Sequence, residues 1–345
     1  MKFQTSNLKY QTSNFNLKIL YTLEQCSALI EDQLRQLSIG RKILSGLYEP
    51  IDYVMAAGGK RVRPVLVLMA CNLLDDDIGK ALMPAIALEF FHNFTLLHDD
   101  VMDNADLRRN RPTVHKRWNE NTAILSGDAM MILAYKYMCQ APHDILPVLL
   151  DAFNRTALEV CEGQQFDMDF EQRSDVSIDE YLYMIRLKTA VLLAACLKTG
   201  AVCGGADAAN AESLYQFGIS LGLTFQIQDD WLDVYADPDV FGKAIGGDIL
   251  CGKKTYLLLT AFERAEHKMR NELNALLHDQ EIPANEKISQ VKAIYDHLGV
   301  NDAARNAMDA YYRQAMSHLR NVAVPDESRK AGLEKFAVSL LKREK

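Results

Sequence analysis

Residues that interrupt helices are scarce in this chain: 18 Gly and 9 Pro among 345 residues, against an apolar fraction of 49%. So few breakers, with so much apolar side chain, favour long helices and an ample core over a loop-rich architecture. Also missing is any excess of positive charge. A net charge of −8 and an isoelectric point near 5.5 exclude the broad basic footprint of nucleic-acid binding. No apolar run reaches the ~18 uncharged residues of a spanning helix, and the N-terminus lacks the apolar stretch of a signal peptide. Cysteines number seven (26, 71, 139, 161, 196, 203, 251), scattered and without metal-type pairing, which suits reduced thiols in a cytoplasmic protein. Alternating strand patterns of useful length are absent. The expectation is an all-α chain without stable membrane insertion, a single-domain bundle of ten or more helices around a central cavity. Residues 1–17 carry a polar near-repeat, Gln4-Thr5-Ser6-Asn7 and Gln11-Thr12-Ser13-Asn14, and read as a flexible tail. Residues 18–345 read as one domain.

Against that background two acidic clusters stand out. The apolar-rich run Ala85–Leu97 leads into His98-Asp99-Asp100-Val101-Met102-Asp103. On a helix Asp99 and Asp103, four apart, share one face with Cβ atoms roughly 5–6 Å from each other. Like charges so close raise one another's pKa; a hard divalent cation with oxygen ligands, such as Mg²⁺, removes the conflict. A second copy follows about 130 residues later, Gln226-Ile227-Gln228-Asp229-Asp230-Trp231-Leu232-Asp233, again at the end of an apolar run. One cluster alone would suit a solvated helix end. Two point to carboxylate pairs facing each other across a helix-lined cavity, able to hold Mg²⁺ around a diphosphate.

An acidic chain handling an anionic substrate needs a few placed cations. Gly58-Gly59-Lys60-Arg61-Val62-Arg63-Pro64 supplies free backbone, three cations and a proline suited to a helix's first turn, together a potential anion site at a helix N-terminus. Helical spacing further predicts elements over 17–37, 48–57, 118–140, 143–169, 177–202 and 207–235, a Gly-rich loop over 237–248, and helices from Thr255 to the C-terminus.

These segments resemble the trans-isoprenyl diphosphate synthases (polyprenyl synthetases). Asp99-Asp100-x-x-Asp103 with Arg108-Arg109, Asp229-Asp230-x-x-Asp233, Gly58-Gly59-Lys60-x-x-Arg63-Pro64, Lys188-Thr189, Phe241-Gly242-Lys243 and Gly252-Lys253 occur in the family's order. Two departures are Asn110, where the family usually has Gly after the Arg pair, and Ala190, where it has Gly after Lys-Thr. Asn tolerates a left-handed backbone better than most residues, and Ala favours a helix.

The resemblance implies head-to-tail condensation of isopentenyl diphosphate with allylic diphosphates in a homodimer, with three Mg²⁺ per site. It implies metal ligation by Asp99, Asp100, Asp103, Asp229 and Asp233. It further implies an allylic diphosphate clamp from Arg108, Lys188, Lys243 and Lys253, with Gln226 and Thr189 nearby, and a metal-free isopentenyl diphosphate site of Lys60, Arg63, Arg109 and His92. Product length would be set on the helix before Asp99, where Phe94, with Thr95 and Phe91, acts as a floor. One helical turn is about 5.4 Å, close to one isoprene unit, and an aromatic at this position resembles enzymes making C15 or C20 products. Competing readings are a longer-chain synthase, a non-catalytic regulatory subunit and a terpene cyclase; intact acidic motifs oppose the second and the basic site opposes the third.

Overall fold

The computed structural model describes residues 20–37, 44–236 and 245–341. The N-terminal tail and the Phe241-Gly242-Lys243 segment, including Lys243, lie outside the described residues.

Helices form where the apolar periodicity places them, and polar caps fix several starts. Leu23–Gln36 (α1) opens on a Thr22–Gln25 capping box, which satisfies two otherwise unpaired backbone donors. Ser45–Met55 (α2) and Val62–Asn72 (α3) flank the Gly58-Gly59 break. Leu82–Met102 (α4) carries the first acids at its C-terminal end. The four-residue helix Val114–Arg117 (α5) leads into Glu120–Met138 (α6), capped by Asn119, and Leu146–Gln172 (α7). Ile178–Ile185 (α8) starts with a Ser177–Glu180 capping box. Val191–Cys203 (α9) is buried along nearly all its length, and Ala208–Tyr235 (α10), capped by Asp207, ends in the second acids. Gly247–Leu250 (α11), Tyr256–Arg264 (α12), His267–His278 (α13), Ala284–His297 (α14), Val300–Asn321 (α15) and Ala331–Leu341 (α16) complete the described chain.

The predicted all-helical architecture stands. At its centre α9 packs between α3, α7 and α10, and α10 is backed by α15. Because α9 is apolar on every face, it is stable only when surrounded; this central post orders the helices that carry the site. No helix among the described residues is long and apolar enough to cross a membrane.

Three details depart from the pattern. The expected single helix over 177–202 is interrupted by a π-helical turn, Arg186–Ala190, between α8 and α9. Part of the expected loop over 237–248 is helical, as α11. A minimal antiparallel pair, Leu107–Arg108 (β1) with Arg111–Pro112 (β2), follows the first acids. Two residues per strand are too few for an alternation to register in sequence. Its turn residues Arg109 and Asn110 both have positive φ, 53° and 60°, the backbone of a tight two-residue hairpin turn. Asn110 thus occupies the left-handed region in which the family's Gly costs least.

Candidate active site

Asp99 and Asp103 emerge at the end of α4, the latter as its C-cap. Loss of solvation, then the Asp99 charge, pushes the Asp103 carboxyl above its ordinary range. Asp99 lies 3.6 Å from Arg108 Nη2 and 3.7 Å from Lys188 Nζ, yet its buried Oδ1 makes no hydrogen bond. Asp100 is different. Its side chain is buried and accepts from Arg108 Nε at 2.6 Å, so it anchors the arginine on the inner side of α4 instead of joining Asp99 and Asp103.

At the end of α10, Asp229 and Asp233 are half-buried and Asp230 is buried. Asp230 accepts from the Tyr181 hydroxyl and, at 3.0 Å, from the Tyr256 amide. Burial pushes its carboxyl up to about 7 against these hydrogen bonds. Asp233 accepts from the Asp248 amide at 2.9 Å, which ties α10 to α11. Desolvation opposes the charge on Lys253, but Asp248, Asp230, Asp167 and Asp103 together hold its ammonium above the ordinary lysine value. Carboxylates from both Asp-rich segments, Asp103 and Asp230, thus act on one cation, Lys253.

Lys188 reaches this meeting point from the π turn. An extra residue in a helical turn redirects the side chains that follow, and such bulges recur at functional sites. Lys188 Nζ donates to Asp167 Oδ2 at 2.6 Å. Gly163 on α7 makes the approach feasible: a Cβ there would stand 2.3 Å from the Lys188 backbone nitrogen. Thr189 does not back-bond within its helix; its hydroxyl lies 3.2 Å from Gln226 Oε1 on α10, and Gln226 leans towards Asp230 at 3.4 Å.

A second cluster lies along α3, α4 and the hairpin. Arg63 Nη1 lies 2.9 Å from His92 Nε2, and the Arg63 Nε is buried without a partner. Arg109 donates to the Gly58 carbonyl, and its guanidinium covers Gly59. Lys60 is exposed beside them. Burial, reinforced by Arg63, Arg109, Arg108 and Arg61, holds His92 well below its ordinary pKa, so it is neutral. Arg61 belongs elsewhere: it is buried against Glu89 at 2.6 Å and Glu31 at 3.0 Å. Among the described residues neither Arg63 nor Arg109 has a carboxylate at ion-pair distance. Two cations kept close without an anion are costly unless a ligand brings one, and an Arg fork suits diphosphate oxygens.

Below Asp99 on α4, Phe94 packs against Phe91 and His98 with centroids 5.8 and 4.7 Å away. Phe91 is buried against Phe153 of α7. Thr95 donates its hydroxyl to the His92 carbonyl at 2.8 Å.

Whether these residues suit Mg²⁺ turns on the donor set. Among the described residues no group of three His, Cys, Asp or Glu side chains closes into a metal cage. Mg²⁺ does not need one: it keeps water and takes one or two carboxylates plus substrate phosphates. Asp99, whose Oδ1 makes no hydrogen bond, and Asp103 offer oxygen donors of that kind.

Sequence reasoning passed over Asp167, Asp248, Tyr181 and the Arg61–Glu89 pair. Asp167, in Gln165-Phe166-Asp167-Met168-Asp169-Phe170-Glu171, has a carboxylate four residues on in Glu171, but lies in a mixed polar stretch, not at the end of an apolar run as the other acids do. Its partner Lys188 is 21 residues away.

A family model for polyprenyl synthetases matches residues 45–298. The chain belongs to the polyprenyl synthetase family. It is 34% identical over 334 residues to a short chain isoprenyl diphosphate synthase of Methanothermobacter thermautotrophicus, covering 95% of this chain and 99% of that one. Identity is 43% over 220 residues with a geranylgeranyl diphosphate synthase of Methanosarcina mazei, covering 63% and 68% respectively. A crystal structure of geranylgeranyl pyrophosphate synthase superposes with a TM-score of 0.88 at 42% identity, covering 94% of this chain and all of that one. The expected enzyme class, a trans-prenyltransferase, is borne out.

Proposed function

We propose that this enzyme is a Mg²⁺-dependent geranylgeranyl diphosphate synthase, adding isopentenyl diphosphate to allylic diphosphates to give a C20 all-trans product. The observation that carries it is the pairing of two unlike anion sites. One is ringed by acids and by Lys188, Lys253 and Arg108. In the other, of Arg63, Arg109 and neutral His92, no carboxylate among the described residues lies at ion-pair distance of either arginine. An allylic diphosphate in the first site ionises by breaking its C1–O bond, the electron pair leaving on diphosphate. Bound Mg²⁺, held by Asp99, Asp103, Asp229 and Asp233 as three ions per site, would neutralise that developing charge. Lys188, Lys253 and Arg108 steady the departing group with charge-assisted hydrogen bonds, a task that Lys243 shares in this reading. Isopentenyl diphosphate, held by Arg63, Arg109 and Lys60, is not activated as a leaving group. Its double bond attacks the allylic C1, forming one C–C bond. The resulting cation loses a proton to the released diphosphate, which restores a double bond.

The short product rests on Phe94 as floor and on the relatives' names. The seven free thiols suit a cytoplasmic setting. Incubation with Mg²⁺, isopentenyl diphosphate and C5, C10 or C15 primers, with products sized by mass spectrometry, tests the proposal. A C20 product that disappears in Asp99→Ala and Asp229→Ala is expected. No elongation from any primer would overturn it in favour of a regulatory subunit, and products beyond C25 would favour a long-chain synthase.

A further inference from the structure

Phe94 does not stand alone. It is the second ring in a chain of five: His98, Phe94 and Phe91 on α4, Phe153 on α7 and Tyr135 on α6. Successive centroids are 4.7, 5.8, 5.3 and 4.9 Å apart. Both ends are tied to another helix. Tyr135 donates its hydroxyl to Asn154 of α7. His98 Nε2 lies 3.1 Å from the Ile124 carbonyl of α6, so the tautomer protonated at Nε2 donates to it. The Nε2–Cδ2 edge of the His98 ring lies against Gly127 of α6. A Cβ at that position would stand 2.2 Å from His98 Nε2 and 2.5 Å from its Cδ2. No side chain larger than hydrogen leaves the imidazole where it is.

We propose that His98 and Gly127 are positioning residues for chain length: the imidazole, seated on Gly127 and moored to Ile124, holds the Phe94 ring across the path of the growing prenyl chain. This rests on Phe94 being the floor. Packed side chains occupy discrete rotamers, and an edge-to-face aromatic contact adds about 0.5–1.5 kcal/mol beyond burial. A preference of that size shifts a rotamer population several-fold. The floor is therefore set by two residues that need not touch the hydrocarbon, one of them on a different helix.

The test compares product distributions from a C5 primer, with Mg²⁺ and isopentenyl diphosphate, for wild type, Phe94→Ala, His98→Ala, His98→Phe and Gly127→Ala. Thermal melts establish that each variant is folded. Expected is a lengthened product in Phe94→Ala, a shift of the major product by at least one isoprene unit in His98→Ala, and partial return in His98→Phe, which restores the ring without the hydrogen bond. Gly127→Ala, which displaces the imidazole without altering it, is expected to change the distribution as well. If Phe94→Ala lengthens the product while His98→Ala and Gly127→Ala keep the wild-type distribution, the positioning role is overturned and the floor reading survives. If Phe94→Ala itself leaves product length unchanged, the floor reading fails and this proposal with it.

Discussion

Lys188 Nζ lies 2.6 Å from Asp167 Oδ2 and 3.7 Å from Asp99 Oδ1, so one ammonium is shared between a carboxylate of α7 and the first acid of α4. In the proposed reading Asp167 thereby aims the lysine at the departing diphosphate. Asp167→Asn keeps the shape and removes the charge. Turnover at saturating substrate should fall by about 10²-fold, the scale of losing one placed electrostatic contact; a change under threefold would reduce Asp167 to a bystander.

Among the described residues Arg63 and Arg109 have no carboxylate at ion-pair distance, and in the proposed reading they bind the second diphosphate. Replacing either with Ala should raise the KM for isopentenyl diphosphate. At about 1.5–3 kcal/mol per hydrogen bond to a charged group, the rise is about 10- to 150-fold. The KM for the allylic primer should move far less. Equal effects on both substrates would mean that the two sites are not separate.

His92 gives a pH signature. Its folded pKa is depressed from 6.5, so below that value the unfolded chain takes up a proton that the folded chain refuses. Stability from this group is complete above pH 6.5 and is lost as the pH falls towards the folded pKa, at up to about 1.4 kcal/mol per pH unit. Urea unfolding of wild type and His92→Gln between pH 7.5 and 5.5 should show the wild type losing ground steadily. Parallel curves would mean that His92 is not buried neutral.

Arg61 and Glu89 are each about 3% exposed at their side chains. Glu89→Ala removes the buried partner and leaves Arg61 only the half-exposed Glu31 and the Met55 carbonyl. Breaking a buried pair from one side costs about 3–5 kcal/mol, and the remaining partners place the expected loss at the lower end. Denaturant titration should find a loss of that size. A loss under 1 kcal/mol would mean that Glu31 or water satisfies Arg61 without Glu89.

Ile132 on α6 and Leu158 on α7 are 68% and 66% exposed. The Tyr135–Asn154 bond between the same two antiparallel helices sets them nearly level, and Leu125, one heptad before Ile132, is also exposed. An apolar stripe of this kind suits a second copy of the chain, in line with the homodimer expected from the resemblance. Light scattering should give twice the 38.9 kDa chain mass for wild type and a shift towards monomer for an Ile132→Asp, Leu158→Asp double variant. A monomeric wild type would end this reading.

What sequence could reveal here was whatever repeats along one helix. Asp99 with Asp103, and Asp229 with Asp233, are spaced by the helix itself, so their faces follow from counting. So did the left-handed tolerance of Asn110. Partnerships between helices did not. Nothing local distinguishes Arg61, neutralised by Glu89, from Arg63 two residues later, whose Nε is left unpaired. Asp100 and Asp99 are likewise neighbours with opposite fates, because a step of one residue turns a side chain by about 100°. The π turn that aims Lys188 has no residue signature, since it depends on α7 pressing through Gly163.

The hairpin after α4 deserves one last consideration as a sorting device. Its two-residue turn directs Arg108 back to Asp99 and Asp100 and Arg109 away to Gly58 and Gly59. Adjacent residues thus take different partners, and parity along four residues of ribbon keeps them apart. Inserting or deleting one residue there would break that alternation, so that Arg108 and Arg109 could not both keep their present partners. Helix content would be untouched, yet in the proposed reading the two diphosphates would lose their separate arginines.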